Sequence, residues 1–77
     1  MPHVTVRMHP GRSEADKARL AEAITQAVMT AIGSSADSIS VGVEDVSPDD
    51  WMGQVYEPEM TAKPDNLYKR PGYGPLK

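Results

Sequence analysis

The chain has 77 residues, with 8 basic and 11 acidic side chains, a formal charge of −3 and no cysteine. A length of this kind gives one domain, residues 1–77, that buries only about 60% of its unfolded surface, and without cysteine neither disulfides nor thiolate metal sites can add stability. The slightly acidic balance argues against a nucleic-acid partner, and no segment approaches the roughly 18 consecutive apolar residues of a membrane-spanning helix.

A first strand is predicted from Pro2 to Met8. Apolar side chains at Val4, Val6 and Met8 alternate with polar ones, and this period of two is typical of a half-buried strand. The next four residues, His9 to Arg12, contain Pro and Gly and therefore predict a turn.

A long amphipathic helix is predicted after this turn. Ser13 offers an N-cap hydroxyl and Asp16 a carboxylate three positions later, so we expect the helix to begin at about Glu14. Gly33 suits the left-handed position just beyond a helix end. Between these ends the apolar residues recur at spacings of three and four and define one face to bury: Leu20, Ala21, Ile24, Ala27, Val28, Ala31 and Ile32.

A second strand is predicted around Ile39, Val41 and Val43, which alternate with polar residues or glycine. The order strand, helix, strand predicts an α/β (α+β) fold built on a single βαβ unit. Its two strands should run parallel, with the right-handed crossover found in about 98% of such units. Because the helix covers only one sheet face and a two-stranded sheet is marginal in water, we expect the open face to pack against another copy of the chain.

The pattern changes beyond Val46. Residues 47–50 predict a turn, residues 51–56 a short hairpin or strand, and residues 57–63 a turn or two of helix that Pro64 ends. Residues 65–77 are rich in Pro, Gly, Tyr and basic side chains, and we expect them to form a tail.

Pro2 is the first candidate for chemistry. Its small ring permits removal of Met1, which would leave a secondary amine at the start of the chain. Burial beside a guanidinium lowers the pKa of an amine, and a neutral amine can take a proton from a carbon next to a carbonyl. The alternative is that Pro2 merely begins a strand, where a missing N–H costs little.

Arg12 and Trp51 are candidate substrate contacts. Arg12 lies just before the predicted helix N-terminus, where anions are favoured, and a guanidinium can hold a carboxylate through two hydrogen bonds. Trp51, the only tryptophan, can supply an apolar wall for a small substrate. A solvated arginine and a core or interface tryptophan are the alternatives. No acidic residue lies at a ligand-like spacing from the two histidines, so we expect no metal site.

Several motifs occur together in a fixed order and spacing: the N-terminal MPHVTVR, the turn Gly11-Arg12-Ser13, the long helix and the second strand. Together they resemble the 4-oxalocrotonate tautomerase superfamily, whose members have a βαβ subunit and an amino-terminal catalytic proline. Further motifs are similar to those of its PptA-like subgroup of phenylpyruvate-type tautomerases: Met1-Pro2-His3, Ser38-Ile39-Ser40 and Arg70-Pro71-Gly72-Tyr73.

The resemblance implies roles for four residues. Pro2 would be the catalytic base, Arg12 a contact to the substrate carboxylate, and Trp51 the aromatic wall. Ser40 stands where the founding member has a second active-site arginine, so as a substrate-binding position it favours a monocarboxylate over a dicarboxylate.

We therefore expect a tautomerase that moves a proton between the enol and keto forms of a 2-oxo monocarboxylic acid, without a cofactor. A homo-oligomer is expected, with a dimer favoured over a hexamer. The N-terminal sequence lacks the charged-then-apolar order of a signal peptide, which favours the cytoplasm. Two alternatives stay open: a hydratase or dehalogenase that uses protonated Pro2 on an unsaturated acid, and a non-catalytic small assembly module.

Overall fold

The structure, a computed structural model, describes all 77 residues, which form two compact units. The first unit, Met1–Asp45, contains strand β1 (His3–Met8), helix α1 (Glu14–Ile32), a 3-10 turn (Ala36–Ser38) and strand β2 (Ser40–Asp45). The second unit, Val46–Lys77, contains helix α2 (Pro48–Trp51), a wider π-type helical segment (Met52–Thr61) and a 3-10 turn (Pro64–Asn66). The one-domain organisation expected from the chain length stays a prediction.

The first unit is built on a parallel pair of strands. His3 lies opposite Ser40 at one end of the pair, and Met8 lies opposite Asp45 at the other. Helix α1 joins the strands, so the predicted βαβ fold is confirmed. The helix lies on the sheet face that carries Asp45, since Lys17 Nζ is 3.0 Å from Asp45 Oδ2. By alternation the valines of both strands and Met8 share this face with Asp45. The other polar strand residues share the opposite face: His3, Thr5, Arg7, Ser40 and Glu44.

Local sequence sets both ends of α1. Ser13 Oγ accepts a hydrogen bond from the Asp16 N–H at 3.1 Å, which makes Ser13 the N-cap. Gly33 adopts the left-handed conformation with φ +73° and donates its N–H to the Met29 carbonyl at 3.0 Å. The predicted start and end of the helix are therefore confirmed. Neither α1 nor any other helix has both the length and the apolar character needed to cross a membrane.

The first unit has no hydrophobic core of its own. Leu20, Ile24 and Val28 of α1 are only half-buried, and Ile32 is 70% exposed. Other members of the predicted apolar face are exposed as well, namely Ala27 and Ala31. The buried residues all belong to the second unit: Val46, Val55 and Tyr56. A large part of the apolar surface of the βαβ unit is thus exposed in the single chain.

The hairpin or strand predicted at residues 51–56 is wrong, because this segment is helical. Pro48 occupies the first helical position and two aspartates lie in the first turn of α2, and both features favour a helix start. The chain then continues into the π-type segment, which contains Pro58. Proline lacks the N–H that a regular helix requires at that point. The helical structure expected within residues 57–63 is confirmed, and it ends before Pro64.

Candidate active site

Pro2 lies at the edge of the sheet where both parallel strands begin. Its side chain is half-buried, whereas Met1 is fully exposed. The Pro2 carbonyl accepts a hydrogen bond from the Ser40 N–H at 3.2 Å. Pro2 is therefore fixed to the first residue of β2 by backbone pairing, whereas Met1 is fully exposed.

Ser40 is joined to a small polar network at the same edge. Its hydroxyl lies 2.6 Å from His3 Nδ1, and the other ring nitrogen, Nε2, lies 3.1 Å from the Thr5 hydroxyl. The structure thus brings two candidate residues together, Pro2 and Ser40. It places beside Ser40 two residues for which the sequence predicts no role, His3 and Thr5. The strand alternation already places these two on one face, but only the parallel register shows that Ser40 lies beside them.

Arg12 lies at the opposite end of the first unit. It borders a cavity of about 370 Å³ whose lining also includes Met8, the last residue of β1, and a run from the start of α1: Asp16, Lys17, Arg19 and Leu20. Arg12 itself is exposed.

The other cations of this cavity are already paired. Arg19 binds the Asp16 carboxylate, and Lys17 binds Asp45 at 3.0 Å. The hydrogen bond to Asp45, together with the charges of Asp45 and Glu14, raises the pKa of Lys17. Arg12 has neither an ion pair nor a hydrogen bond within the chain, so its guanidinium is the group that remains available for an incoming carboxylate.

The length of β1 separates the two ends. A strand rises about 3.3 Å per residue, so Pro2 and Met8 are about 20 Å apart. An arginine side chain extends only about 7 Å from its Cα, by the bond lengths of an extended chain. Within one chain, Pro2 and Arg12 consequently cannot touch the same small molecule.

Trp51 belongs to the second unit, as the last residue of α2. Its ring is half-buried, and its indole N–H donates to the Tyr73 hydroxyl at 2.8 Å. The Tyr73 carbonyl in turn accepts a hydrogen bond from the hydroxyl of Tyr56 at 3.3 Å. The tail predicted for residues 65–77 is therefore attached to the helical part of its own unit, and it holds the tryptophan that the sequence singled out.

Comparison with known sequences identifies the family. The tautomerase enzyme family model matches residues 2–59. Over 76 residues the chain is 43% identical to a probable tautomerase of Xylella fastidiosa, covering 99% of this chain and 93% of that protein. Over 74 residues it is 39% identical to tautomerase PptA of Pectobacterium carotovorum, covering 95% of this chain and 97% of that protein.

Solved structures agree with this assignment. The chain is similar to YwhB, a homologue of 4-oxalocrotonate tautomerase, with 40% identity and a TM-score of 0.60 over 62% of this chain and 79% of that one. It is also similar to TomN, another such homologue from the tomaymycin biosynthetic pathway, with 34% identity and a TM-score of 0.62 over 65% of this chain and 77% of that one. The sequence match and the shared βαβ fold lead to one conclusion: this chain belongs to the tautomerase family of enzymes.

Proposed function

We propose that this tautomerase interconverts the enol and keto forms of a 2-oxo monocarboxylic acid, with Pro2 as the general base. Removal of Met1 would free the secondary amine of Pro2. The neutral amine takes the proton from the enol hydroxyl and returns it to the adjacent carbon, so no cofactor is needed for the proton balance. The observation that carries the proposal is a half-buried Pro2, next to an exposed Met1, at the start of a parallel sheet in a member of this family.

Arg12 is the proposed contact for the substrate carboxylate, and it acts on a substrate held by Pro2 of another copy. Two observations support this arrangement. The guanidinium of Arg12 is uncommitted within its own chain, and six residues of β1 keep it away from its own Pro2. A symmetric dimer is the smallest assembly that can bring the two groups together, and the uncovered apolar surface of the first unit gives it a reason to form.

A monocarboxylate is the proposed substrate because of the residue beside Pro2. Ser40 occupies the first position of β2, and its hydroxyl forms a hydrogen bond with His3. This edge of the sheet therefore presents a neutral hydroxyl at the position where a second arginine would bind a second carboxylate. Trp51 is proposed to contact the apolar side chain of the acid. An aryl or small alkyl enolpyruvate satisfies both conditions.

The first test combines intact mass with kinetics. The mass should show loss of Met1, and Pro2→Ala should abolish ketonisation of phenylenolpyruvate while the circular dichroism spectrum and the oligomeric size stay unchanged. The value of kcat/KM should rise with pH until the amine is fully deprotonated, since only the neutral form is a base. Retained Met1, or an active Pro2→Ala variant, would rule the mechanism out. A rate that falls as the amine loses its proton would instead support an acid role.

The second test asks whether each site uses two copies. Pro2→Ala and Arg12→Ala chains, each impaired alone, are unfolded together and refolded as a mixture. If Arg12 serves the Pro2 of its partner, a randomly mixed symmetric dimer recovers about a quarter of the wild-type activity, because half of the dimers are mixed and each of these has one intact site. If both residues serve one site within one chain, mixing recovers nothing.

A further inference from the structure

Three aromatic residues of the second unit form a continuous hydrogen-bonded chain. The indole N–H of Trp51 donates to the Tyr73 hydroxyl at 2.8 Å, and the Tyr56 hydroxyl donates to the Tyr73 carbonyl at 3.3 Å. The same Tyr56 hydroxyl accepts the Leu76 N–H at 2.7 Å. Both the side chain and the backbone of Tyr73 are therefore held, one by each of the other two rings.

Tyr56 is the fixed point of this chain. Its side chain is 0% exposed, the lowest value of any buried residue in the protein. Its ring packs against that of Tyr73 with the centroids 5.5 Å apart and the planes tilted by 55°, a geometry that aromatic pairs prefer. Since Tyr73 is itself 46% exposed, burial alone does not fix its ring, and the contacts with Tyr56 are needed to hold it.

Gly74 shows how closely the tail follows Tyr56. It has φ +73°, and a Cβ at this position would lie 2.5 Å from the Tyr56 hydroxyl oxygen and 2.7 Å from the adjacent ring carbon. Only glycine fits both the left-handed backbone and this approach. The backbone at Gly74, immediately after Tyr73, therefore packs directly against the Tyr56 ring.

We propose that Tyr73 is a positioning residue that fixes the plane of the Trp51 indole and thereby sets a preference for acids with a flat aryl side chain. This inference rests on the proposed function, in which Trp51 contacts that side chain. An indole held in one orientation offers a preformed flat surface, so a flat ligand gains contact without first restricting the ring. A flexible alkyl chain gains less from the fixed plane, because it adapts to either orientation.

The test uses one conservative change and a matched control. Tyr73→Phe keeps the ring that packs on Tyr56 and removes the oxygen that accepts the Trp51 N–H. Tyr68→Phe is the control, because Tyr68 lies in the same tail, is 98% exposed and makes no hydrogen bond. The protein has a single tryptophan, so its indole N–H resonance reports directly on Trp51. The kinetic measure is the ratio of kcat/KM for phenylenolpyruvate to that for the enol of 2-oxobutyrate.

In Tyr73→Phe the indole resonance should shift and exchange faster with solvent. The kinetic ratio should fall by about threefold to tenfold, the effect expected from one neutral hydrogen bond, with most of the loss on the aryl substrate. Tyr68→Phe should change neither quantity. A shifted resonance with an unchanged ratio would overturn the positioning role, and so would an equal loss on both substrates. An unshifted resonance would show that the hydrogen bond itself is absent. The resonance does not depend on catalysis, so failure of the Pro2 mechanism remains a separate result.

Discussion

Alanine substitutions at Gly74 and Gly33 measure how much the packing of the tail on Tyr56 stabilises the protein. Both glycines have φ +73°, so alanine at either site meets the same left-handed backbone penalty of about 1–2 kcal/mol. At Gly33 an added Cβ meets nothing within 4 Å, whereas at Gly74 it meets Tyr56 at 2.5 Å. Overpacking of that kind adds about 1–3 kcal/mol. Gly74→Ala should therefore lower the free energy of unfolding by about 2–5 kcal/mol, and Gly33→Ala by the backbone term alone.

The assay is urea unfolding at one fixed protein concentration, because association shifts apparent stability. Release of the tail from Tyr56 is a second way to relieve the clash, and it would lower the measured loss. Proteolysis after Lys69 detects such release, since an attached tail resists cleavage more than a free one. Equal unfolding free energies for the two variants, combined with an unchanged cleavage rate in Gly74→Ala, would refute the close packing of Gly74 on Tyr56.

Two further predictions concern the first unit. The raised pKa of Lys17 means that its ion pair with Asp45 stabilises the fold fully below the ordinary lysine value of 10.5 and less as pH rises through the higher folded-state value. The stability advantage of the wild type over Lys17→Met in urea should accordingly be constant near neutral pH and shrink only in strong alkali; a loss of that advantage near neutrality would contradict this. Ser40→Arg should raise kcat/KM for a dicarboxylate relative to a monocarboxylate by about tenfold, as one charge-assisted contact provides. Ser40→Ala is its control, and an equal change in both variants would exclude a new carboxylate contact.

The βαβ unit could be predicted because each of its elements is set by local sequence. Ser13 and Gly33 mark the ends of α1 through their own hydrogen bonds and backbone angle. The alternation of apolar and polar side chains that predicts each strand is visible within that strand alone. The second unit differs, because Trp51 to Tyr56 is a short segment without a clear period. In its helical state Val55 and Tyr56 are buried. Tyr56 contacts Tyr73 and Leu76, which lie far along the chain, so a short stretch of sequence does not reveal this burial.

The candidate site likewise has one feature that the sequence predicts and others that it does not. Chain order and strand length alone place Pro2 and Arg12 at opposite ends of β1, so their separation was accessible from sequence. The pairing of His3 with Ser40 joins residues 37 positions apart, and that of Trp51 with Tyr73 joins residues 22 positions apart. Contacts of this range depend on the register of the sheet and the path of the tail, which no pattern in the chain specifies.

The shortness of the chain accounts for both unusual properties of the first unit. With no residue buried up to Asp45, the βαβ unit gains little stability from a core of its own, and a second molecule packed on its apolar surface would add hydrophobic burial. With Pro2 and Arg12 at opposite ends of one strand, the proposed chemistry also requires a second molecule. Association that covers the apolar surface and joins the two sheet ends would supply both. The proposed division of the catalytic site between copies would then follow from a unit too small to enclose a substrate by itself.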